Sequence, residues 1–391
     1  MTKLIVQPSR TLRGRGRVPG DKSISHRAMM LGALAHGVSH VRGLLPGGDC
    51  LATLACMRAL GVEIEVRSDG FSRLETALAV STNLDAIIHG RGLRGLQSPA
   101  ASLNCVRSGT TMRLLAGILA GQTFDSILTG DPQLLHRPMR RITEPLRAMG
   151  AEVADEDGRA PLHIQGRQLR GIARTLTVAS AQVKSAILLA GLFAEGTTVV
   201  RQCGSARDHT ERMLAAMGAN LVTDGLDVTL TPGASTLAPL AITVPGDLSS
   251  AAFPLVAALL LADSEIALEG IGVNPTRTGL LDVLAAMGAD IVLANDHEQG
   301  GEPVADVMAR SSALRGTEIG GDTVVRMIDE FPILAIAATQ AHGRTVVRDA
   351  RELRVKETDR IATVVEELRK MGANIKARDD GFVVEGLTPL H

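Results

Sequence analysis

The chain has 391 residues, enough for two or three domains. Its 45% hydrophobic and 21% charged residues are those of a globular protein, and a net charge of -1 gives no overall field that would gather nucleic acid or an anionic membrane. Aromatic residues make up 2%, with neither Trp nor Tyr, so the core must be aliphatic and a base-stacking platform is disfavoured.

Cys50, Cys56, Cys105 and Cys203 form no C-x-x-C pair and read as reduced thiols rather than a disulfide or metal framework. MTKLIVQPSR lacks a long apolar segment, and no apolar run reaches membrane-spanning length. The expectation is a cytoplasmic protein without a membrane partner.

Taken in chain order, KLIVQPS opens as a strand and VPGD follows at Val18–Asp21. KSISHRAMMLGALAHG then starts with polar residues suited to an N-cap and continues as a helix with little charge. The same design returns in SGTTMRLLAGILAG, SAQVKSAILLAGLFAEG, DLSSAAFPLVAALLLADS and DEFPILAIAATQAHG. Helices apolar almost all round are expected to be buried. A second type of segment follows each: CMRALGVEIEV, PLRAMGAEVAD, ERMLAAMGANLVT, DVLAAMGADIVL and EELRKMGANIKA. Each reads as an amphipathic helix, a Gly stop and a half-buried strand. Five units therefore repeat every 65 to 85 residues, about twice a typical solenoid period. VPGD recurs at Val244–Asp247, which suggests two similar halves and places one domain at residues 20–242 and the other at 1–19 with 243–391. Two halves of three units need six, and the chain stops at VVEGLTPLH, where a sixth polar-start helix would fall.

Several helix starts carry anion-binding chemistry. Lys22, Ser23 and Arg27 sit where a helix N-terminus offers N–H groups and a positive dipole end, and Ser23 and Arg27 share a face. Gly109 lets a ligand approach the backbone between Ser108, Thr110 and Thr111. Ser180, Gln182 and Lys184 begin a third helix. Arg137, held extended before Pro138, is placed to reach inward, while Arg140, Arg141 and the Arg10–Arg17 run read as surface charge. Asp329 and Glu330 lie between apolar residues as an N-cap or a base. In RELRVKETDR, Lys356 and Arg360 share a helix face and Glu357 and Arg360 are three apart. VPGDLSS has no basic residue, so Ser249 and Ser250 read as structural. The chain contains no P-loop, nucleophile-elbow, zincin or EF-hand motif, so nothing calls for a metal, nucleotide or covalent nucleophile.

PGDKSISHRA, SGTTMRLLAG, HRPM, ASAQVKSA, SARDHTERML, IDEFP and LRVKETDR resemble, in this order, the 5-enolpyruvylshikimate-3-phosphate synthase (3-phosphoshikimate 1-carboxyvinyltransferase) family. The resemblance runs from about residue 5 to the end, and the ASAQVKS and RDHTE forms are those of bacterial members. It implies the two-domain enolpyruvyl transferase fold, an inside-out α/β barrel with five of six units present. It also implies transfer of the enolpyruvyl group of phosphoenolpyruvate to the 5-hydroxyl of shikimate 3-phosphate, releasing phosphate, in the pathway to aromatic amino acids. The reaction passes through a tetrahedral intermediate without metal or cofactor, and domain closure excludes water from it. By the same resemblance Lys22, Ser23, Arg27, Ser180, the backbone at Ala181, Gln182, Ser205, Asp329 and Lys356 bind shikimate 3-phosphate. Lys22, Gly109, Arg137, Gln182 and Arg360 bind phosphoenolpyruvate. Asp329 is the base for the 5-hydroxyl, and Glu357 handles the proton at the methylene carbon.

Two departures bear on these expectations. The family has Gly-Asn-Ser-Gly where Val106-Arg107-Ser108-Gly109 stands, so Arg107 either strengthens or blocks anion binding. The family also ends in a unit with an Asp-His-Arg motif and a later Lys, which this chain does not reach, so weak phosphoenolpyruvate binding and slow turnover are expected. Gly109 follows the pattern of members sensitive to glyphosate. Three rivals are an enolpyruvyl transferase acting on UDP-N-acetylglucosamine, which resembles Lys-Asn at 22–23, an inactive fragment needing a partner segment, and a non-catalytic repeat protein. A monomer is the default expectation.

Overall fold

The computed structural model describes residues 9–68, 83–233 and 236–391. The chain divides into two compact bodies, a larger one of residues 19–245 with 298–302, and a smaller one of residues 1–18, 246–297 and 303–391. The strand expected over KLIVQPS lies, apart from Ser9, outside the described residues.

The repeats appear as sheets. Among the described residues there are five four-stranded sheets of one topology, in which a parallel pair at one edge is followed by two antiparallel pairings. Three lie in the larger body. Ala241–Thr243, His36–Leu44, Leu84–Arg91 and Glu63–Ser68 form the first. Leu103–Asn104, Asp125–Thr129, Arg159–Gln165 and Glu152–Glu156 form the second. Ala173–Thr175, Thr198–Arg201, Asp227–Leu230 and Leu221–Asp224 form the third. Ala241–Thr243, the last strand of this body in sequence, pairs parallel with His36–Leu44, its first, and so closes the body on itself. The smaller body holds two such sheets, one opened by Arg13–Gly16 against Glu265–Gly272 and one by Glu318–Ile319 against Arg344–Val347.

Each unit supplies one inward helix. In the larger body these are Lys22–Leu34, Gly109–Ala120 and Ala181–Gly191, in which nearly every residue beyond the first turn is buried. Side-chain caps hold four of the five starts: Asp21 accepts from the Ile24 N–H, Ser108 from Thr111, Ser180 from Val183 and Asp247 from Ser249. The fifth helix, Phe331–Thr339, has no side-chain cap and carries Pro332 in its first turn instead. The second helix of each unit ends on Gly61, Gly150, Gly218, Gly288 or Gly372, all at φ between +82° and +94°, the left-handed turn that feeds the chain into the outer hairpin. The larger body's core is aliphatic and Met-rich; the smaller adds one edge-to-face pair, Phe331 and Phe382, with ring centroids 6.2 Å apart.

Helices buried on all sides need small residues where they cross. Gly117 lies against Ala186 of the neighbouring helix, and a Cβ there would sit 2.2 Å from the Ala186 carbonyl oxygen. That oxygen belongs to a rigid helix backbone and cannot yield. Gly117→Ala is therefore expected to lower stability by about 3 kcal/mol, the upper end for overpacking. Gly218→Ala, at φ +84° with no atom near the added Cβ, costs about 1 kcal/mol from backbone conformation alone. Urea unfolding of both variants checks the order; equal midpoints would contradict it.

Candidate active site

In the larger body, three helix starts carry the polar groups. Lys22 opens its helix and pairs with Asp49, in the first turn of the helix Gly48–Ala59. Arg27, one turn on, is only 3% exposed. Its Nη1 donates to the Ser23 carbonyl at 3.0 Å, its Nε to Thr210 Oγ1 at 2.7 Å and its Nη2 to Ser185 Oγ at 2.8 Å. Burial pulls its pKa down to about 10, against the opposing pull of Glu211 and Asp21, so it stays charged at neutral pH.

The helix Ala181–Gly191 presents Ser180, Ala181 and Gln182, all half-buried, at a start whose first N–H groups have no intrahelical partner. Gln182 Oε1 accepts from Arg113 Nη1 at 2.7 Å, and Gln182 Nε2 donates to Thr110 Oγ1 at 2.9 Å. Gly109 stands beside the same group: an added Cβ would lie 2.5 Å from Arg113 Nη1 and 2.8 Å from Arg137 Nη1. Gly109, Arg113, Arg137 and Gln182 are thus one cluster. Arg107 ion-pairs with Asp131 at 3.1 Å. Its charge is engaged there, with 66% of the side chain exposed. Ser205 lies half-buried in the unstructured segment that leads to the helix His209–Ala216.

In the smaller body, Arg360 Nη1 donates to Asp329 Oδ1 at 2.8 Å and its Nη2 to Glu357 Oε2 at 2.8 Å. Burial lowers the Arg360 pKa, but the two carboxylates outweigh it and hold the guanidinium above its ordinary value. Glu330 plays a different part from Asp329. It is buried, takes the Ser249 hydroxyl and lies 4.0 Å from Arg277, which also binds Asp247 at 2.8 Å. Ser249 Oγ also accepts from Arg277 Nη2 at 2.8 Å. Lys356 and Arg360 do not share a helix face. Arg351–Val355 is a 3-10 turn that ends at Lys356, and the next helix starts only at Arg360 because Asp359 caps it there.

Among the described residues, no group of three or more His, Cys, Asp or Glu is arranged to hold a metal ion, and no helix is long and apolar enough to cross a membrane.

The repeated sheet with one buried helix per unit, together with cationic helix starts, defines an α/β transferase of the two-domain enolpyruvyl transferase fold. The EPSP synthase of Acinetobacter baumannii superposes with a TM-score of 0.85 at 46% identity, covering 98% of this chain and 83% of that one. The chain belongs to the EPSP synthase (3-phosphoshikimate 1-carboxyvinyltransferase) family, whose sequence model matches residues 6–390. It is 53% identical over 383 residues to the 3-phosphoshikimate 1-carboxyvinyltransferase of Geobacillus kaustophilus, covering 97% of this chain and 86% of that protein. It is also 53% identical over 393 residues to that of Geobacter sulfurreducens, covering 100% and 88%.

The sequence reading missed Asp49, Arg113, Arg277, Thr210 and Glu211. Arg113 had a readable signal, a charge one turn after Gly109 in an otherwise apolar helix. Asp49 and Thr210 had none, because only the fold brings them to their partners.

His26 lies behind the helix starts. Its Nδ1 is 2.6 Å from Thr53 Oγ1, which is 2.7 Å from Thr111 Oγ1, and Thr111 donates to Ser108 Oγ at 2.7 Å. Burial, then Lys22 and Arg27, push its pKa down from 6.5 to about 3, against Asp21. Well above pH 6.5 the ring is neutral in the folded and unfolded chain alike. As pH falls from there toward about 3, the unfolded chain takes up a proton that the folded chain refuses, so stability drops across that window. The slope is at most about 1.4 kcal/mol per pH unit. His26→Gln is expected to flatten the fall of the urea midpoint between pH 6.5 and 4; parallel curves would contradict this assignment.

Proposed function

We propose that the chain moves the enolpyruvyl group of phosphoenolpyruvate onto the 5-hydroxyl of shikimate 3-phosphate, with the residues above in stated roles. The observation that carries this reading is the convergence of Lys22, Arg27, Arg113 and Arg137 on three helix starts. Two multiply charged anions repel, and fixed cations with helix N-termini offset that repulsion without reorganising.

Lys22, Ser23 and Arg27 bind shikimate 3-phosphate together with Ser180, the Ala181 N–H, Gln182 and Ser205. Lys22, Gly109, Arg137 and Gln182 bind phosphoenolpyruvate, and Arg360 serves the same ligand. Glycine at 109 keeps the backbone open, since a methyl would press on the two guanidiniums. Asp329 takes the 5-hydroxyl proton while the oxygen attacks C2 of phosphoenolpyruvate, and Glu357 delivers a proton to C3. The tetrahedral adduct then loses phosphate from C2 and a proton from C3, which restores the double bond. Arg360 orients both carboxylates, and Lys356 contacts the sugar. The sister acceptor, a UDP-amino sugar, is disfavoured by Ser23 and by relatives named for the shikimate substrate.

Asp329→Asn keeps the shape and removes the base. Phosphate release is expected to fall by about 10³-fold in kcat, with shikimate 3-phosphate affinity within a few-fold of the parent. A variant with near-parental kcat would remove Asp329 from this role.

A further inference from the structure

Lys184 is wholly inaccessible to solvent, and nothing in the reaction as assigned uses it. An ammonium is costly to bury unless each proton finds an acceptor. Lys184 Nζ has three: Glu211 Oε1 at 2.6 Å, Gln202 Oε1 at 2.8 Å and the Ala206 carbonyl at 3.0 Å. They come from three separate places. Gln202 follows the strand Thr198–Arg201, Ala206 follows Ser205 in a segment without regular structure, and Glu211 is in the first turn of the helix His209–Ala216.

The next residues along the two helices meet as well. Ser185 Oγ lies 2.7 Å from Thr210 Oγ1, and both hydroxyls take hydrogen bonds from Arg27. Two successive residues of one helix, Lys184 and Ser185, thus face two of the other, Thr210 and Glu211. Three anion-binding elements join at this point: the Ser180–Gln182 helix start, the Ser205 segment and Arg27. The Ser205 segment lies in no strand, and the Ala206 carbonyl, next to Ser205, ties it to the helix through the Lys184 ammonium.

From this geometry we propose that Lys184, paired with Glu211, is a positioning residue for the sugar phosphate: it sets the spacing between Ser205 and the Ser180–Gln182 helix start without touching ligand. This rests on the assignment of shikimate 3-phosphate to that helix start. An apolar pair of similar size could fill the same space and keep the fold, so packing alone does not require the ions.

The test follows from that substitution. Lys184→Met combined with Glu211→Leu removes both charges of the pair together, and Asp21 remains to offset the burial of Arg27. The folded double variant is expected to show a KM for shikimate 3-phosphate raised about 10- to 100-fold, as displacement of a positioned group does. The KM for phosphoenolpyruvate and the kcat at saturation should stay within about 3-fold, since Gly109 and Arg137 are untouched. Glu211→Gln, which keeps an acceptor for Lys184, should raise the same KM about 5-fold, and it decides the matter if the double variant does not fold. An unchanged shikimate 3-phosphate KM in the folded double variant, or both KM values rising in parallel, overturns the proposal; with no folded double variant, an unchanged KM in Glu211→Gln does so. Calorimetry of the parent chain with shikimate 3-phosphate runs alongside. No binding there overturns the substrate assignment and the positioning with it, whereas equal binding by parent and double variant overturns the positioning alone.

Discussion

A helix that is apolar on every side has nowhere to put a charge except its ends, and that constraint organises each body. The inward helices of the larger body are covered by sheets and by one another, with a glycine where two of them cross. Polar groups therefore collect in first turns: Asp21, Lys22 and Ser23, then Ser108 and Thr110, then Ser180 and Gln182. The first turn is also where the backbone leaves its N–H groups open and the dipole is positive. Packing and a helix start suited to anions are thus two results of one arrangement. The repeat multiplies it, since each copy brings a further polar start.

Cations that enter these helices deeper than the first turn must carry their own partners. Arg27 is matched by Thr210 and Ser185, Arg113 by Gln182 and Lys184 by Glu211. These partners come from other helices, so each buried charge is also a tie between elements. His26 shows the opposite solution. It has no carboxylate partner and lies near two cations, and its pKa falls until it is neutral across the physiological range. The smaller body divides its neighbouring carboxylates by the same rule. Glu330 is buried against Ser249 and near Arg277, while Asp329, next in the chain, is turned to Arg360.

Much of this was legible in the sequence because the repeat states it five times. The Gly stops predicted the left-handed turns at Gly61, Gly150, Gly218, Gly288 and Gly372, and the polar starts predicted four of five side-chain caps. The second strand of each outer hairpin and the short parallel edge strands were not read. Segments such as Leu103–Asn104 are two residues long and have no periodicity to detect. Pro332 replaced a polar cap at the fifth helix, a substitution that local preference allows but does not dictate. At the site, Lys22, Arg27, Gly109 and Gln182 were readable from motif and spacing. Asp49, Thr210 and Arg277 were not, because pairing across tens of residues leaves no local trace. Lys356 and Arg360 looked like one helical face until Asp359 capped the helix between them.

The central claim is that the helix starts of the larger body hold the sugar phosphate. A crystal structure of the chain with shikimate 3-phosphate tests it most directly. The account predicts the phosphate at the N-terminus of Ala181–Gly191, within hydrogen-bond distance of Ser180 Oγ, the Ala181 N–H and Ser205. Density for the ligand anywhere else on the chain, with those groups left to solvent, would contradict it.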